Sequence, residues 1–181
     1  MQIFTLLTKF FCITAILVVS LTAYGQKNRP SPAKITEGII DGAQVTINYS
    51  SPAVKGRTIW GELVPYNTVW RAGANEATTV STDQPLKIFD EILPAGTYSF
   101  FVKPLDEQKW VVIFNKDIEQ WGAYKYDENN DIIRGEVNVE PLNDSIEQLS
   151  YQLDSVNNNI SLIWEKKSIY IPVTNIGKDK Q

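Results

Sequence analysis

A chain of 181 residues, 43% hydrophobic and 21% charged, is long enough to bury one core without metals or disulfides. It has no histidine and a single cysteine, Cys12, which excludes histidine-based serine and cysteine triads, the usual zinc sites and histidine-ligated iron or copper. A formal net charge of -4 gives no basic surface for a phosphate backbone, so nucleic acid is not an expected partner.

Residues 1–25 read as a secretory signal peptide. An almost unbroken apolar run over residues 10–23 follows one charge, Lys9, and leads into Ala23-Tyr24-Gly25, with small residues at cleavage spacing. The run is shorter than the roughly 20 residues of a membrane-spanning helix, so membrane contact is expected only through an uncleaved leader. Export to the periplasm or the extracellular space is the expected location. Cys12 lies within this leader, which leaves the remainder thiol-free, and removing Lys9 from the 17 basic residues leaves 16 against 21 acidic ones, a net charge of -5. Residues 26–34 are polar and hold Pro30 and Pro32, as a flexible exit segment does. A single domain is expected over residues 35–175, followed by a polar tail over residues 176–181.

Within that domain, Val45, Ile47 and Tyr49 alternate with polar neighbours and predict a half-buried strand over residues 44–50. Strands are also expected at 78–81 and 86–89. The Leu93-Pro94-Ala95-Gly96-Thr97-Tyr98 stretch predicts a tight turn before the apolar run 98–102. The continuous run WVVIF at 110–114 has the length and β-branched content of a central strand buried on both faces. A turn over 127–131 precedes a strand at 132–139. Residues 146–153 fit a strand or a helix face, and the strand is the preferred reading. Asn157-Asn158-Asn159 makes a turn before Ile160, Leu162 and Trp164, and residues 165–168 are expected to connect to 169–171 as a terminal hairpin. Eight or so short strands without a βαβ rhythm indicate an all-β fold, an antiparallel β-sandwich or jelly roll with one long ordered loop.

That loop spans residues 51–79 and holds two tryptophans, two arginines, three glycines and two glutamates. Irregular segments longer than about 12 to 15 residues tend to be functional or disordered, and a tryptophan-rich one is a poor candidate for disorder. Trp60, Tyr66 and Trp70 are either an aromatic platform for apolar sugar faces or core under the loop. Arg71 and Glu76 either bind a ligand's carboxylate or hydroxyls, with Asn75 as a neutral donor and acceptor, or form an ion pair that fixes the loop. Gly73 is expected to supply a positive φ between Arg71 and Asn75. Glu62 and Glu76 are the candidate carboxylates for a histidine-free hydrolase, since glycoside hydrolysis needs only two acids across a cleft. The oxygen-rich run 127–131 lacks the glycine and glutamate that a calcium loop needs at Ile132 and Asn138, so it reads as a solvated turn.

Ser51-Pro52, Lys55-Gly56-Arg57, Trp60-Gly61, Leu63-Val64-Pro65-Tyr66 and the run VWRAGANEATT at 69–79, together with LPAGTY at 93–98, FNK at 114–116 and QWGAY at 120–124, resemble the signature of the bacterial domain of unknown function 2911 family. The resemblance covers roughly residues 35–173. It implies an exported protein of bacteria related to Bacteroidetes and brings no activity with it. The sequence departs from the family pattern at Asn67, where a glycine is expected, and at Glu62, where a small residue is expected. The reading that follows is a non-catalytic module presenting Trp60, Tyr66, Trp70, Arg71, Asn75, Glu76 and Trp121 to a small polar ligand such as a carbohydrate. It requires neither a cofactor nor a metal. The alternatives are a carboxylate-based, glycosidase-like hydrolase and an envelope structural or protein-interaction protein.

Overall fold

The computed structural model describes residues 29–177, and the folded unit begins at Ser31. The expected signal peptide and most of the expected C-terminal tail lie outside the described residues. Nine strands follow in order: β1 (Ala33–Ile40), β2 (Ala43–Ser50), β3 (Thr78–Thr82), β4 (Leu86–Ile88), β5 (Glu91–Leu93), β6 (Gly96–Pro104), β7 (Lys109–Asn115), β8 (Asp131–Asp154) and β9 (Asn159–Asn175). The fold is all-β. Every pairing is antiparallel, and the strands form one sheet in the order β1-β2-β3-β6-β7-β8-β9-β4-β5.

Local chemistry sets the turns. β1 and β2 are joined by Asp41-Gly42 with φ of 50° and 84°, the left-handed pair that a two-residue hairpin needs and that Asp-Gly supplies at low cost. The β8–β9 turn is held by Asp154, whose carboxylate accepts from the backbone N–H groups of Val156 and Asn157. At residues 128–130 a single 3-10 turn is capped by Asp127, which accepts from the Asn129 N–H. The other acid of that run, Asp131, is engaged by Asn115, Tyr126 and Arg134, so its oxygens serve the fold.

β6 and β7 carry the centre of the molecule. Phe100, Val102, Trp110, Val112 and Phe114 face the main core, whereas Phe101, Val111 and Ile113 face a smaller cluster with Ala77 on the opposite side of the sheet. The WVVIF strand is thus buried on both faces, as its unbroken apolar run predicts. The second layer comes from the same sheet. β8 pairs with β7 through residues 131–138 and then, from Val139 on and across register shifts between Pro141 and Ser150, with residues 159–169 of β9. Its far half crosses the core and returns to the start of the domain. There Thr36 Oγ1 donates to the Tyr151 carbonyl at 3.3 Å, and Ser51 Oγ donates to that of Leu149 at 2.6 Å.

Two sequence expectations are corrected here. Residues 165–168 do not turn back into a hairpin, because β9 runs unbroken from Asn159 to Asn175 and absorbs only a local irregularity at Glu165, φ 54°. The residues read as two short strands at 132–139 and 146–153 are likewise one 24-residue strand. Bulges that bend a strand without ending it look like loops in the sequence, since both interrupt the alternation. β1 is absent from the sequence reading for a related reason: its isoleucines Ile35 and Ile39 face solvent while Lys34, Thr36 and Gly38 face inward.

Candidate functional site

The loop over residues 51–77 leaves β2 and returns to the sheet alongside β6. Trp70 exchanges both backbone hydrogen bonds with Val102 at 2.8 Å, and the Asn67 N–H donates to the Pro104 carbonyl at 2.7 Å. It is ordered by left-handed residues at Lys55, Gly56, Gly61, Asn67, Ala72 and Asn75. Gly73 is not among them, contrary to expectation. It must be glycine for another reason: a Cβ there would lie 2.8 Å from Thr78 Oγ1 and 3.1 Å from the Ser50 carbonyl.

The sequence-predicted residues fall into two places. Trp60 and Trp70 point inward and join Trp110 and Trp164 in one cluster. Ring centroids lie 4.4 Å apart for Trp60–Trp110, 5.8 Å for Trp60–Trp164 and Trp70–Trp164, and 6.0 Å for Trp60–Trp70. Three indole N–H groups are satisfied by backbone: Trp70 donates to Gly73, Trp110 to Asp106 and Trp164 to Glu147. Trp60 Nε1 is enclosed and has no acceptor among the described residues. Of these four rings, Trp60 alone lines a cleft, and the others back it from the core.

That cleft, of about 830 Å³, is bounded by Arg57 to Trp60 of the long loop, by Glu107 and Gln108 of the β6–β7 turn, by the bulged stretch of β8 from Asn138 to Leu142, and by Glu165 to Lys167 of β9. Ile59, Trp60, Val139, Pro141 and Leu142 give it an apolar base, and its other walls are polar or charged. Glu107 organises one wall. Its carboxylate accepts from the Tyr66 hydroxyl and from Lys167 Nζ, and Lys167, itself buried, also donates to the Glu107 carbonyl at 3.0 Å. The Lys167 hydrogen bond, followed by that from Tyr66, holds the Glu107 carboxyl below its ordinary range. Burial and the same carboxylate push the Tyr66 phenol up to about 12. Tyr66 is therefore a hydrogen-bond donor and Glu107 an anion at neutral pH.

Arg71, Asn75, Glu76 and Trp121 lie elsewhere. Trp70 faces the core, so the alternation of an extended chain sends Arg71 to the opposite side of the sheet, where Val69 packs against the Phe101 cluster. Asn75 is structural: its Nδ2 donates to Ser50 Oγ at 3.2 Å and to the Ser31 carbonyl at 3.4 Å. The backbone from Asn75 to Ala77 pairs with that from Gln120 to Gly122, through Ala77 N–H to Gln120 O and Gly122 N–H to Asn75 O, both 3.0 Å. Glu76 and Trp121 face each other across this bridge, and Trp121 is 58% exposed. Arg71 and Glu76 do not form an ion pair: burial lowers the Arg71 pKa, and only the Tyr124 phenol opposes that effect. Glu62 is exposed on a turn, and neither it nor Glu76 lines the cleft.

Sequence reasoning missed Glu107, Lys167, Trp110, Trp164 and Tyr124. The two tryptophans sit in ordinary strands and became part of the site only through tertiary packing. Glu107 and Lys167 are 60 residues apart, in a turn and a strand, and nothing in their local sequence pairs them.

A family model described as a protein of unknown function, DUF2911, matches residues 31–173, the bulk of the chain. The chain belongs to that family. No curated protein and no solved structure matches it. The DUF2911 match takes in β1 to β8, most of β9, both walls of the cleft and the Arg71 surface. At Asn67, where the DUF2911 pattern leads one to expect glycine, φ is 59°, and asparagine is among the residues that enter this region most readily without being glycine. Asn67 thus takes up the left-handed conformation that a glycine would enter at that turn.

Proposed function

We propose that this DUF2911 protein is an exported, non-catalytic module that binds a small polar ligand such as a carbohydrate in the cleft floored by Trp60. The observation that carries this reading is the juxtaposition of an apolar, tryptophan-backed base with converging polar groups from four separate segments. Such a mixture suits a ligand with one apolar face and a hydroxylated rim. The buried Lys167 and the Tyr66–Glu107 bond fix the wall's donors and acceptors before any ligand arrives, which reduces the ordering cost of binding.

Glu107 is unsuited to the general-acid role of a hydrolase. A general acid needs a raised pKa, whereas Lys167 and Tyr66 lower that of Glu107. Isothermal titration against a panel of neutral and acidic glycans tests the proposal. The expected result is at least one ligand bound more tightly than about 1 mM, with affinity reduced in Gln108→Ala and Asn138→Ala. The reading fails if no member of the panel reaches that affinity. Fractionation of the producing cells tests export: the protein is expected in the periplasmic or extracellular fraction.

A further inference from the structure

The Arg71 surface shares no residue with the cleft lining and carries a separate inference. Arg71 is half-buried, yet among the described residues no carboxylate pairs with it, and its enclosed Nε–H has no acceptor. Partly desolvating a guanidinium without an anion is unfavourable, and protein sites that do so normally supply a partner. Here the surroundings supply a bare glycine backbone and aromatic residues instead. A Cβ at Gly122 would lie 3.1 Å from Arg71 Nη1 and 3.2 Å from the Tyr124 ring, so the bare backbone of this glycine, at φ 68°, is what lets the guanidinium and the phenol ring settle against it. Tyr124, whose ring lies against the same glycine, is 85% exposed, and Trp121, the residue before that glycine, is 58% exposed. The two hydrogen bonds between residues 75–77 and 120–122 hold the aromatic segment to the loop that carries Arg71, so the arrangement is fixed in advance.

We propose that Arg71, Trp121 and Tyr124 form a binding site for a small oxyanion-bearing ligand, with the carboxylate or phosphate on the guanidinium and a flat organic body against the exposed rings. A planar guanidinium matches an oxyanion through two parallel hydrogen bonds, and it gains most where water is already partly removed. Ring stacking then selects ligands that carry the anion on a flat scaffold over bare ions.

The test is NMR titration of the ¹⁵N-labelled full chain with sodium acetate, sodium benzoate and inorganic phosphate at constant ionic strength, following the Arg71 Nε–H and Trp121 indole N–H signals. A saturable shift of both signals is expected, with benzoate binding about threefold or more tighter than acetate. Phosphate binding tighter than both carboxylates supports the same site with a phosphoryl group as its natural anion. Arg71→Gln, with an otherwise unchanged amide spectrum, is expected to weaken binding by about tenfold or more, whereas Lys125→Gln leaves it unaltered. Tyr124→Leu should remove the preference for benzoate while sparing acetate. The proposal is overturned if none of the three anions gives a saturable shift, if Arg71→Gln binds as well as the wild type, or if benzoate and acetate bind alike. None of these results depends on glycan binding in the cleft.

Discussion

Trp70 and Arg71 are adjacent in the sequence and sit in opposite environments. Trp70 turns inward, stacks on Trp164 and donates its indole N–H to the Gly73 carbonyl at 3.0 Å. Arg71 turns outward, half-buried, with an enclosed Nε–H that no described residue accepts. One residue has every demand met by the fold, and the other has demands the fold leaves open. The difference separates structure from candidate function within a single motif: a group that the protein satisfies internally is explained by stability, whereas a half-buried charge without a counter-ion leaves room for a ligand on its remaining, solvent-facing side.

Substitutions sharpen this contrast, beginning with the inner side. Trp110→Ala removes a fully buried ring in contact with Trp60 and is expected to cost about 3–5 kcal/mol in denaturant unfolding, since the neighbouring rings cannot collapse into the space. A loss below about 1 kcal/mol would show the tryptophan cluster to be loosely packed. Gly73→Ala should cost about 1–3 kcal/mol by the same measurement, because Thr78 and the Ser50 backbone must move aside.

The Tyr66–Glu107–Lys167 wall is tested by pH. The Tyr66 pKa is raised from 10.0 to about 12 in the folded protein, so its contribution is complete below pH 10 and is lost as pH rises from 10 towards 12. Glu107 is shifted the other way, so its contribution is present above its ordinary pKa of 4.5 and is lost as pH falls through the lower folded value. Urea midpoints across pH should therefore show the wild type losing its advantage over Tyr66→Phe on the alkaline side and over Glu107→Gln on the acid side. Parallel curves would mean that these bonds do not persist in solution. The smallest effect is expected at Arg71. Arg71→Leu should change stability by no more than about 0.5 kcal/mol, and in the favourable direction if at all, because it removes an unpaired, partly desolvated charge. A large loss would place Arg71 with Trp70 as a structural residue.

Much of the fold was legible in the sequence, because alternation and turn chemistry are local. Val45, Ile47 and Tyr49 announce β2, WVVIF announces a strand covered on both faces, and the Asn157–Asn159 run announces the turn into β9. What was not legible depends on distant partners. β1 hides because Thr36 faces inward to meet Tyr151 while Ile35 and Ile39 face out. The continuity of β9 through Glu165 depends on its pairing with β8 and not on its own residues. The site behaved likewise. The motif around Trp60 to Glu76 was visible as a unit, yet its residues divide between two faces, and the wall that completes the cleft comes from Glu107 and Lys167.

The doubled-back course of β8 has a kinetic consequence. Thr36 meets Tyr151 across 115 residues of chain, and the strand that closes the second layer over the first is the eighth of the nine described. The two layers share that strand, so neither can be completed before the C-terminal hairpin arrives. Closing so large a loop is entropically slow, and folds dominated by such distant pairings assemble over milliseconds to seconds. The sheet therefore stays incomplete until its last strands are in place.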